Sequence, residues 1–236
     1  MAKGVLYMVP SNVAETSPCD TFPRHNADVI RSTRHFVVEN ARTVRRFIKS
    51  VDRDINIDEV TMVELSEHNT ADADLSAMLS AAENGEDVAM ISEAGCPGVA
   101  DPGASLAAEA HRRGIRVVPL VGPSSILMSL MASGLNGQNF AFSGYLPIGA
   151  ELPKTLKKME DRSLKENQTQ IFIEAPYRND KMLSSLISTL KAETRLCVAR
   201  DVMGKEELIE TRRVAEWKKA KLPELHKRPT VFLFLA

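Results

Sequence analysis

A stretch rich in glycine and proline, ISEAGCPGVADPG at residues 91–103, follows an apolar run and precedes an alanine-rich segment. Gly95 and Gly98 lack a Cβ, so a ligand can approach the main chain closely there, while Pro97 and Pro102 restrict the backbone. Its spacing matches neither the dinucleotide pattern G-x-G-x-x-G nor the triphosphate pattern G-x-x-x-x-G-K-[ST]. The segment therefore predicts a backbone cradle for another kind of ligand, or a structural crossover turn.

Ser124 and Ser125 stand at the start of a later apolar helical segment, SILMSLMAS. Hydroxyls and free backbone N–H groups at a helix start suit an anion such as a carboxylate. Cys96 has no general base beside it in the sequence, and a small side chain in a tight loop explains its presence without reactivity.

The elements that must position these residues are short apolar runs alternating with helical patterns. The predicted strands of the first half are GVLYMV, HFVVE, VTMVEL, DVAMIS and IRVVPL. One helix is predicted at TADADLSAMLSAAENG and another at GASLAAEAHRRG. Buried strands without polar alternation, joined by helices, predict a parallel sheet.

The later half has a different pattern. Its predicted strands are FAFSGYL, QIFIEA, RLCVAR, EELIETR and PTVFLFLA, with only partial helical segments between them. The expected fold class is therefore α/β with two α/β domains. Residues 1–120 would form an N-terminal domain with a parallel sheet, and residues 121–236 a C-terminal domain with a mixed sheet.

Composition restricts the protein class. Hydrophobic residues make up 44% and charged residues 26% of the 236 residues, as in ordinary globular proteins. Cys19, Cys96 and Cys197 form no CxxC pair, which disfavours a disulfide framework or a structural zinc site. The N-terminus is typical of a first strand rather than a signal peptide, and no stretch reaches about 18 apolar residues. We expect a cytoplasmic protein without a metal site.

Charge is distributed unevenly along the chain. Residues 24–53 contain eight Lys or Arg against three acids, a balance of +5, whereas residues 54–111 contain thirteen acids and neither Lys nor Arg. Such a polarised surface could steer an anionic partner such as RNA. Two solvated helix faces of different composition would give the same pattern.

The loop at residues 91–103, followed by VVPLVGPSSI, ASGL, FSGYLP and FIEAPYR, resembles the tetrapyrrole-methylase superfamily of S-adenosylmethionine (SAM) methyltransferases. Within it, the sequence is most similar to the branch that methylates 16S ribosomal RNA at a cytidine 2′-hydroxyl. The motifs recur in the family's order along nearly the whole chain. The resemblance implies two α/β domains, a homodimer, and SAM held in the cleft between the domains.

Residue by residue, the resemblance implies two cofactor loops, the end of the first strand, and an adenosine-side group in the later half. The implied cofactor residues are Pro10, Ser11, Gly95, Cys96, Pro97, Val99, Ser124, Ser125, Glu174, Ala175 and Thr230.

Methyl transfer to a ribose hydroxyl benefits from a general base. Glu39, Glu67 and His68 follow predicted strands, and the ordinary pKa of histidine, near 6.5, suits neutral pH. The segment containing Glu67 and His68 is equally typical of a turn before a helix. Arg42 and Arg178 are candidates for binding a substrate phosphate, or simple surface cations.

The sequence departs from the family pattern at four places. It has VPSNVAETSP for T-P-I-G-N-L, VENAR for A-E-D-T-R and EAGCPG for D-A-G-T-P-G, and YLPIGAELP lacks an early positive charge. These departures affect the substrate more than the fold. Three hypotheses follow: a ribosomal RNA methyltransferase, a methyltransferase for a small tetrapyrrole-like molecule, and a SAM-binding protein without catalysis.

Overall fold

The computed structural model describes residues 2–15, 21–65 and 73–236. Contacts within the chain divide it into two compact units, Met1–Ser124 and Ser125–Ala236. The boundary expected from the sequence lay between residues 120 and 121. Each unit has its own five-stranded sheet and its own hydrophobic clusters.

The first unit contains an all-parallel sheet with the strand order β3-β2-β4-β1-β5. Its strands are β1 (Val5–Val9), β2 (His35–Val38), β3 (Thr61–Glu64), β4 (Val88–Ile91) and β5 (Arg116–Pro119). Each of the five apolar runs forms a strand, so the predicted parallel sheet is confirmed. All four residues of β4 are buried, because this strand lies at the centre of the sheet with helices on both faces.

Among the described residues of the first unit, five helices cover the two faces of this sheet. They are α1 (Arg24–Ser32), α2 (Ala41–Val51), α3 (Leu75–Met78), α4 (Ser80–Glu83) and α5 (Ala104–Arg112), with a 3₁₀ turn at Ile57–Glu59. Val44 and Ile48 of α2 pack on the face formed by Phe36 and Ile91. Side chains of α4 and α5 pack on the opposite face.

The prediction of one continuous helix at TADADLSAMLSAAENG was wrong. The structure has two short helices that are interrupted at Leu79, whose ψ is 2°. The Asp74 side chain caps α3 by accepting from the Ala77 N–H at 2.9 Å, while Thr70, the cap predicted from the sequence, lies outside the described residues. Gly85, with φ of +94°, follows the second helix as predicted.

The second unit contains a mixed sheet with the strand order β6-β7-β10-β8-β9. Its strands are β6 (Phe140–Tyr145), β7 (Thr169–Ile173), β8 (Arg195–Arg200), β9 (Leu208–Arg213) and β10 (Thr230–Leu235). β6 and β7 are parallel, and the other neighbours are antiparallel. The predicted mixed sheet is confirmed, and β10 is buried along its whole length because it occupies the centre.

Helices pack on both faces of this second sheet as well. They are α6 (Ser125–Ser133), α7 (Glu151–Glu166), α8 (Asn179–Thr189) and α9 (Val214–Trp217), with a 3₁₀ turn at Pro176–Arg178. Leu156 of α7 and Leu186 of α8 share one cluster with Phe232. Ile126 and Leu130 of α6 belong to the cluster on the opposite face.

A close contact between two loops of the first unit generates a stability prediction. A Cβ added at Gly122, after β5, would lie 2.3 Å from Cβ and 2.6 Å from Cγ of Pro10, after β1. We expect Gly122→Ala to lower the free energy of unfolding by about 1–3 kcal/mol through overpacking, measured by urea denaturation. Gly137→Ala is the control, because nothing lies within 4 Å of the added atom. Equal stability of the two variants would contradict the close contact.

Candidate functional site

The loops that follow β1, β4 and β5 meet at the carboxyl edge of the parallel sheet. β1 lies between β4 and β5 in the sheet, so the three strands end side by side. Ser11 and Gly95 form an antiparallel bridge, with Ser11 N–H donating to Gly95 O at 2.8 Å and Gly95 N–H donating to Ser11 O at 3.3 Å. The Cys96 thiol donates to Pro123 O at 3.5 Å. The structure therefore brings together the three loops, including the predicted residues Ser11, Gly95 and Cys96, and we call this the three-loop junction.

The glycines of the β4 loop have main-chain conformations that other residues rarely adopt. Gly95, Gly98 and Gly103 have φ of +79°, +81° and +127°. Gly98 N–H donates to Pro102 O at 3.0 Å, which closes the loop on itself. Val99, in the same loop, is half exposed. The loop is therefore a tight turn in which Gly95 and Gly103 are buried and Gly98 is partly exposed.

Ser11 carries a polar atom that the protein itself leaves unsatisfied. Its side chain is 3% exposed, and its Oγ has no hydrogen-bond partner among the described residues. A buried hydroxyl without a partner costs free energy, and such groups are rare in folded proteins. The three-loop junction therefore contains a group that a ligand can satisfy.

Cys96 is held in its protonated form. Burial raises the pKa of the Cys96 thiol above its ordinary value, and the negative charge of Asp101 raises it further. A protonated thiol can donate to Pro123 O, as observed. This contact agrees with the interpretation of Cys96 as a small loop residue rather than a nucleophile.

Glu39, a predicted catalytic residue, contacts the main chain of the β4 loop. Glu93 N–H donates to Glu39 Oε2 at 2.9 Å, and the Thr43 hydroxyl donates to Glu93 Oε1 at 3.1 Å. Asn40 caps α2 by accepting from Thr43 N–H at 3.1 Å. Glu39 therefore helps to position the loop, a role that the sequence did not indicate. Asn40 before a helical pattern was a readable cap signal.

Three other predicted residues, Arg42, Glu67 and His68, belong to the first unit. Arg42 is exposed on α2, and its side chain makes no hydrogen bond or ion pair within the described part of the chain. Glu67 and His68 lie outside the described residues, so their catalytic role stays a prediction.

The predicted residues of the second unit form a separate group. Ile173 pairs with Val231, so Glu174 leaves and Thr230 enters the sheet at the same end. The buried Glu174 carboxylate accepts from Ala175 N–H at 2.7 Å and from Arg178 Nη2 at 2.6 Å. The Thr230 hydroxyl donates to Arg228 O at 3.0 Å. At the start of α6, the Ser125 carbonyl accepts from the Ser129 hydroxyl at 2.6 Å.

Arg178 is therefore held in place by the protein through its two terminal nitrogens, Nη1 and Nη2. Its hydrogen bond to Glu174 raises the pKa of Arg178 above the ordinary arginine value. The same guanidinium lies 5.0 Å from the centre of the Tyr177 ring and donates to the Tyr177 hydroxyl at 2.8 Å. The sequence did not predict the pairing of Glu174 with Arg178, although their spacing of four residues is one at which opposite charges often meet.

Residues 25–217 match the family described as Tetrapyrrole (Corrin/Porphyrin) Methylases. The chain belongs to this family. A Pseudomonas aeruginosa protein named Ribosomal RNA small subunit methyltransferase I is 31% identical over 217 residues, which are 92% of this chain and 72% of that protein. Proteins of the same name are 29% identical in Vibrio cholerae, over 90% of this chain and 69% of that protein, and 39% identical in Mesorhizobium japonicum, over 58% and 45%. The chain thus spans less than half of the Mesorhizobium protein.

Two solved structures share the fold of this chain. Uroporphyrin-III-C-methyltransferase from Thermus thermophilus superposes with a TM-score of 0.57 at 17% identity, covering 99% of this chain and 94% of that chain. The methyltransferase CobJ superposes with a TM-score of 0.62 at 18% identity, covering 98% and 93%. The predicted fold class is confirmed.

Within residues 2–15, 21–65 and 73–236, no helix combines the length and the apolar character needed to cross a bilayer. The same residues include no group of three or more His, Cys, Asp or Glu side chains placed to hold a metal ion.

The raised pKa of Cys96 generates a prediction about its reactivity. In a Cys19→Ser background, the native protein should react with iodoacetamide at neutral pH more slowly than the urea-unfolded protein, because the thiolate is the reactive form and the fold disfavours it. The rate for Cys96 should still be rising above pH 9, as followed by mass spectrometry of the labelled peptide. Cys197, whose pKa is raised to about 11 by burial, should react more slowly still. Rapid labelling of native Cys96 at pH 7 would contradict the assignment.

Proposed function

We propose that this member of the tetrapyrrole methylase family uses SAM to methylate small-subunit ribosomal RNA at a ribose 2′-hydroxyl. The observation that carries the proposal is the three-loop junction with its unpartnered Ser11 hydroxyl in a chain of this family. The relatives named Ribosomal RNA small subunit methyltransferase I support the choice of RNA as the acceptor. From the family resemblance, we extend the proposal to a cytoplasmic homodimer.

The chemistry of the three-loop junction fits SAM. The cofactor carries a carboxylate, an amino group and ribose hydroxyls, which can pair with the Ser11 hydroxyl, exposed main-chain groups and a helix start. Gly98, with φ of +81°, is partly exposed, so a ligand can reach the main chain there. The residues of the first unit that would hold it are Pro10, Ser11, Gly95, Cys96, Pro97, Val99 and Ser124. The family resemblance implies Ser125, Glu174, Ala175 and Thr230 as further cofactor residues.

When bound, SAM supplies a methyl group activated by an adjacent sulfonium. The remaining task of the protein is to align the acceptor oxygen and to take up its proton. Glu39 already accepts a hydrogen bond from Glu93 N–H, and this contact favours loop positioning as its main role. In our proposal, Glu67 or His68 then serves as the base, and the ordinary pKa of a histidine side chain suits this role at neutral pH.

The basic segment of the first unit suits contact with RNA phosphates. Arg42, Arg45, Arg46 and Lys49 recur at helical spacing along α2, and all four are exposed, whereas Val44 and Ile48 of the same helix are buried. Arg31 differs, because it pairs with Asp28 at 2.9 Å and with Asp52 at 2.5 Å. A cationic stripe on one helix face attracts a polyanion without specifying its sequence.

The two alternative hypotheses have less support. Likeness to solved tetrapyrrole methyltransferases at 17% and 18% identity shows the fold alone and does not favour a small acceptor. A SAM-binding protein without catalysis remains an outcome of the transfer experiment described below.

The unpartnered Ser11 hydroxyl provides a test in which one substitution should have opposite effects on the stability of the free protein and on SAM binding. Ser11→Ala should keep or raise the free energy of unfolding without ligand, because it removes a buried hydroxyl that lacks a partner. The same change should weaken SAM binding about 3- to 10-fold, since a typical hydrogen bond contributes about 0.5–1.5 kcal/mol. Thermal melting and calorimetric titration measure the two effects.

Ser133→Ala is the matched control for this test. The buried Ser133 hydroxyl donates to Leu130 O at 2.8 Å and accepts from Leu135 N–H at 3.1 Å. Its loss should destabilise the protein by about 1 kcal/mol and leave SAM affinity unchanged. Unaltered SAM affinity in Ser11→Ala, or no SAM binding by the wild type, would refute the assignment.

The acceptor is tested by transfer of a labelled methyl group. We expect label from SAM to enter small-subunit ribosomal RNA from cells lacking this protein, and not a pool of small metabolites. Mass spectrometry of the digested RNA should then show one methylated ribose that is missing from the deletion strain. Transfer to the metabolite pool would select the small-molecule hypothesis, and SAM binding without transfer to either would select the non-catalytic one.

A charge-neutralising variant separates RNA binding from SAM binding in the same assay. Arg42→Gln combined with Arg45→Gln should weaken RNA binding and lower its salt dependence, because fewer phosphate contacts release fewer counterions. Its SAM affinity should equal that of the wild type. RNA binding that does not weaken with added salt would rule out α2 as a phosphate contact.

A further inference from the structure

The second unit contains a shallow cavity whose apolar wall has no role in the proposed function. It has a volume of about 50 Å³ and lies where α7 and α8 begin. Its apolar wall consists of Ile148, Leu152 and Met182, and its polar rim consists of Arg178, Lys181 and Ser185. The buried Glu174 carboxylate lies beside Arg178 in the same lining.

The charges around this cavity favour an anion. Glu174 is already neutralised by Arg178 at 2.6 Å. Lys181 is exposed, and its side chain makes no hydrogen bond or ion pair within the described residues. Of the acids near in sequence, Glu151 pairs with Lys154 at 3.0 Å and Asp180 accepts from Leu225 N–H at 2.8 Å. The charged side chains that line the cavity itself, Glu174, Arg178 and Lys181, have a net charge of +1.

Arg178 adds a second donor to this rim. Its Nε is buried and has no hydrogen-bond partner, although the same guanidinium binds Glu174 and Tyr177 through its other nitrogens. A guanidinium N–H without a partner is a costly group in a folded protein. An oxygen of a bound ligand would relieve that cost.

An exposed aromatic ring stands next to the cavity. Tyr177 belongs to the same 3₁₀ turn as Arg178 and is 62% exposed. Arg178 lies against the ring at 5.0 Å and donates to its hydroxyl, which fixes the ring in place. Exposed aromatic rings beside cations are the usual platforms on which proteins stack unpaired bases.

The small size of the cavity favours one unit of a polymer over a whole small molecule as its ligand. Pockets that enclose a whole small ligand measure about 300–1,000 Å³, far more than this cavity. A site of about 50 Å³ can accept only the edge of a planar group whose remainder stays outside. A nucleotide within a longer RNA strand meets this condition.

We propose that the Ile148–Leu152–Met182 cavity, with Tyr177 and Lys181, binds an unpaired nucleotide of the RNA substrate. Its base would stack on Tyr177 and enter the apolar wall, while its phosphate would contact Lys181 and Arg178. The proposal rests on the proposed function, because it assumes an RNA substrate. It assigns single-stranded RNA recognition to the second unit.

The test measures binding of fluorescent RNA in the absence of SAM. The probes are a short single-stranded RNA and a blunt-ended duplex of equal length. Tyr177→Ala should weaken single-strand binding about tenfold, as is typical for loss of one base–aromatic stack, and should change duplex binding little. Lys181→Gln should weaken single-strand binding about threefold and lower the slope of log K against log salt by about 0.7, the value for one lost phosphate contact.

Lys191→Gln is the matched control, because Lys191 is an exposed lysine just beyond the other end of α8. It should leave both RNA affinities unchanged. Melting curves establish whether the variants are folded. If Tyr177→Ala is not folded, Lys181→Gln alone provides the test. The SAM affinity of both cavity variants should match that of the wild type.

The outcomes distinguish this proposal from the proposed function. If the wild type binds RNA and both cavity variants bind the single strand as Lys191→Gln does, the cavity proposal is overturned and the proposed function stands. If the wild type binds neither probe and transfers no methyl group to ribosomal RNA, both are overturned. If the variants lose duplex and single-strand affinity equally, the site recognises charge rather than an unpaired base, and the proposal is wrong.

Discussion

The two hydrogen bonds between Ser11 and Gly95 are the interaction on which the candidate site depends. They join the loop after β1 to the loop after β4, whose strands are neighbours in the parallel sheet. Each loop alone would have many conformations, but the bridge fixes where Cys96 reaches Pro123 and where the Ser11 hydroxyl is buried. The contact of Gly122 with Pro10 restricts the third loop in the same way. The chemistry of the site is thus a consequence of strand order.

The second unit depends on a different constraint, the ion pair between Glu174 and Arg178. A buried carboxylate requires a partner, and here its oxygen accepts from both Arg178 and Ala175 N–H. The pair fixes the turn that follows β7, and this turn carries Tyr177 and leads into α8. Replacing one member would leave a buried charge unpaired, which is more costly than the net contribution of the intact pair. The ion pair therefore contributes mainly orientation, placing an aromatic ring and two cations beside one cavity.

The sequence predicted the sheets better than it predicted the site. Most of the strands are short apolar runs bounded by turn residues, and such a run has few alternatives in an α/β chain. The split between α3 and α4 could not be read, because Leu79 continues the apolar helical pattern while its backbone leaves the helix. The main chain of the 91–103 loop was predictable because glycine and proline report backbone geometry directly. The Glu174–Arg178 pair and the contact of Glu39 with Glu93 N–H depend on side-chain directions, which composition and spacing do not determine.

One departure from the family pattern acquires a physical meaning from the second unit. The segment after β6, YLPIGAELP, lacks the early positive charge that the resemblance leads one to expect there. Ile148 and Gly149 of that segment instead line the cavity whose rim includes Arg178 and Lys181. The positive charge near this segment thus comes from the start of α8 and not from the segment itself. A phosphate responds to the local electrostatic field, whichever segment of the chain supplies the cation. The missing charge after β6 is therefore compatible with an RNA substrate, provided that Lys181 remains free of the neighbouring acids, as it is here.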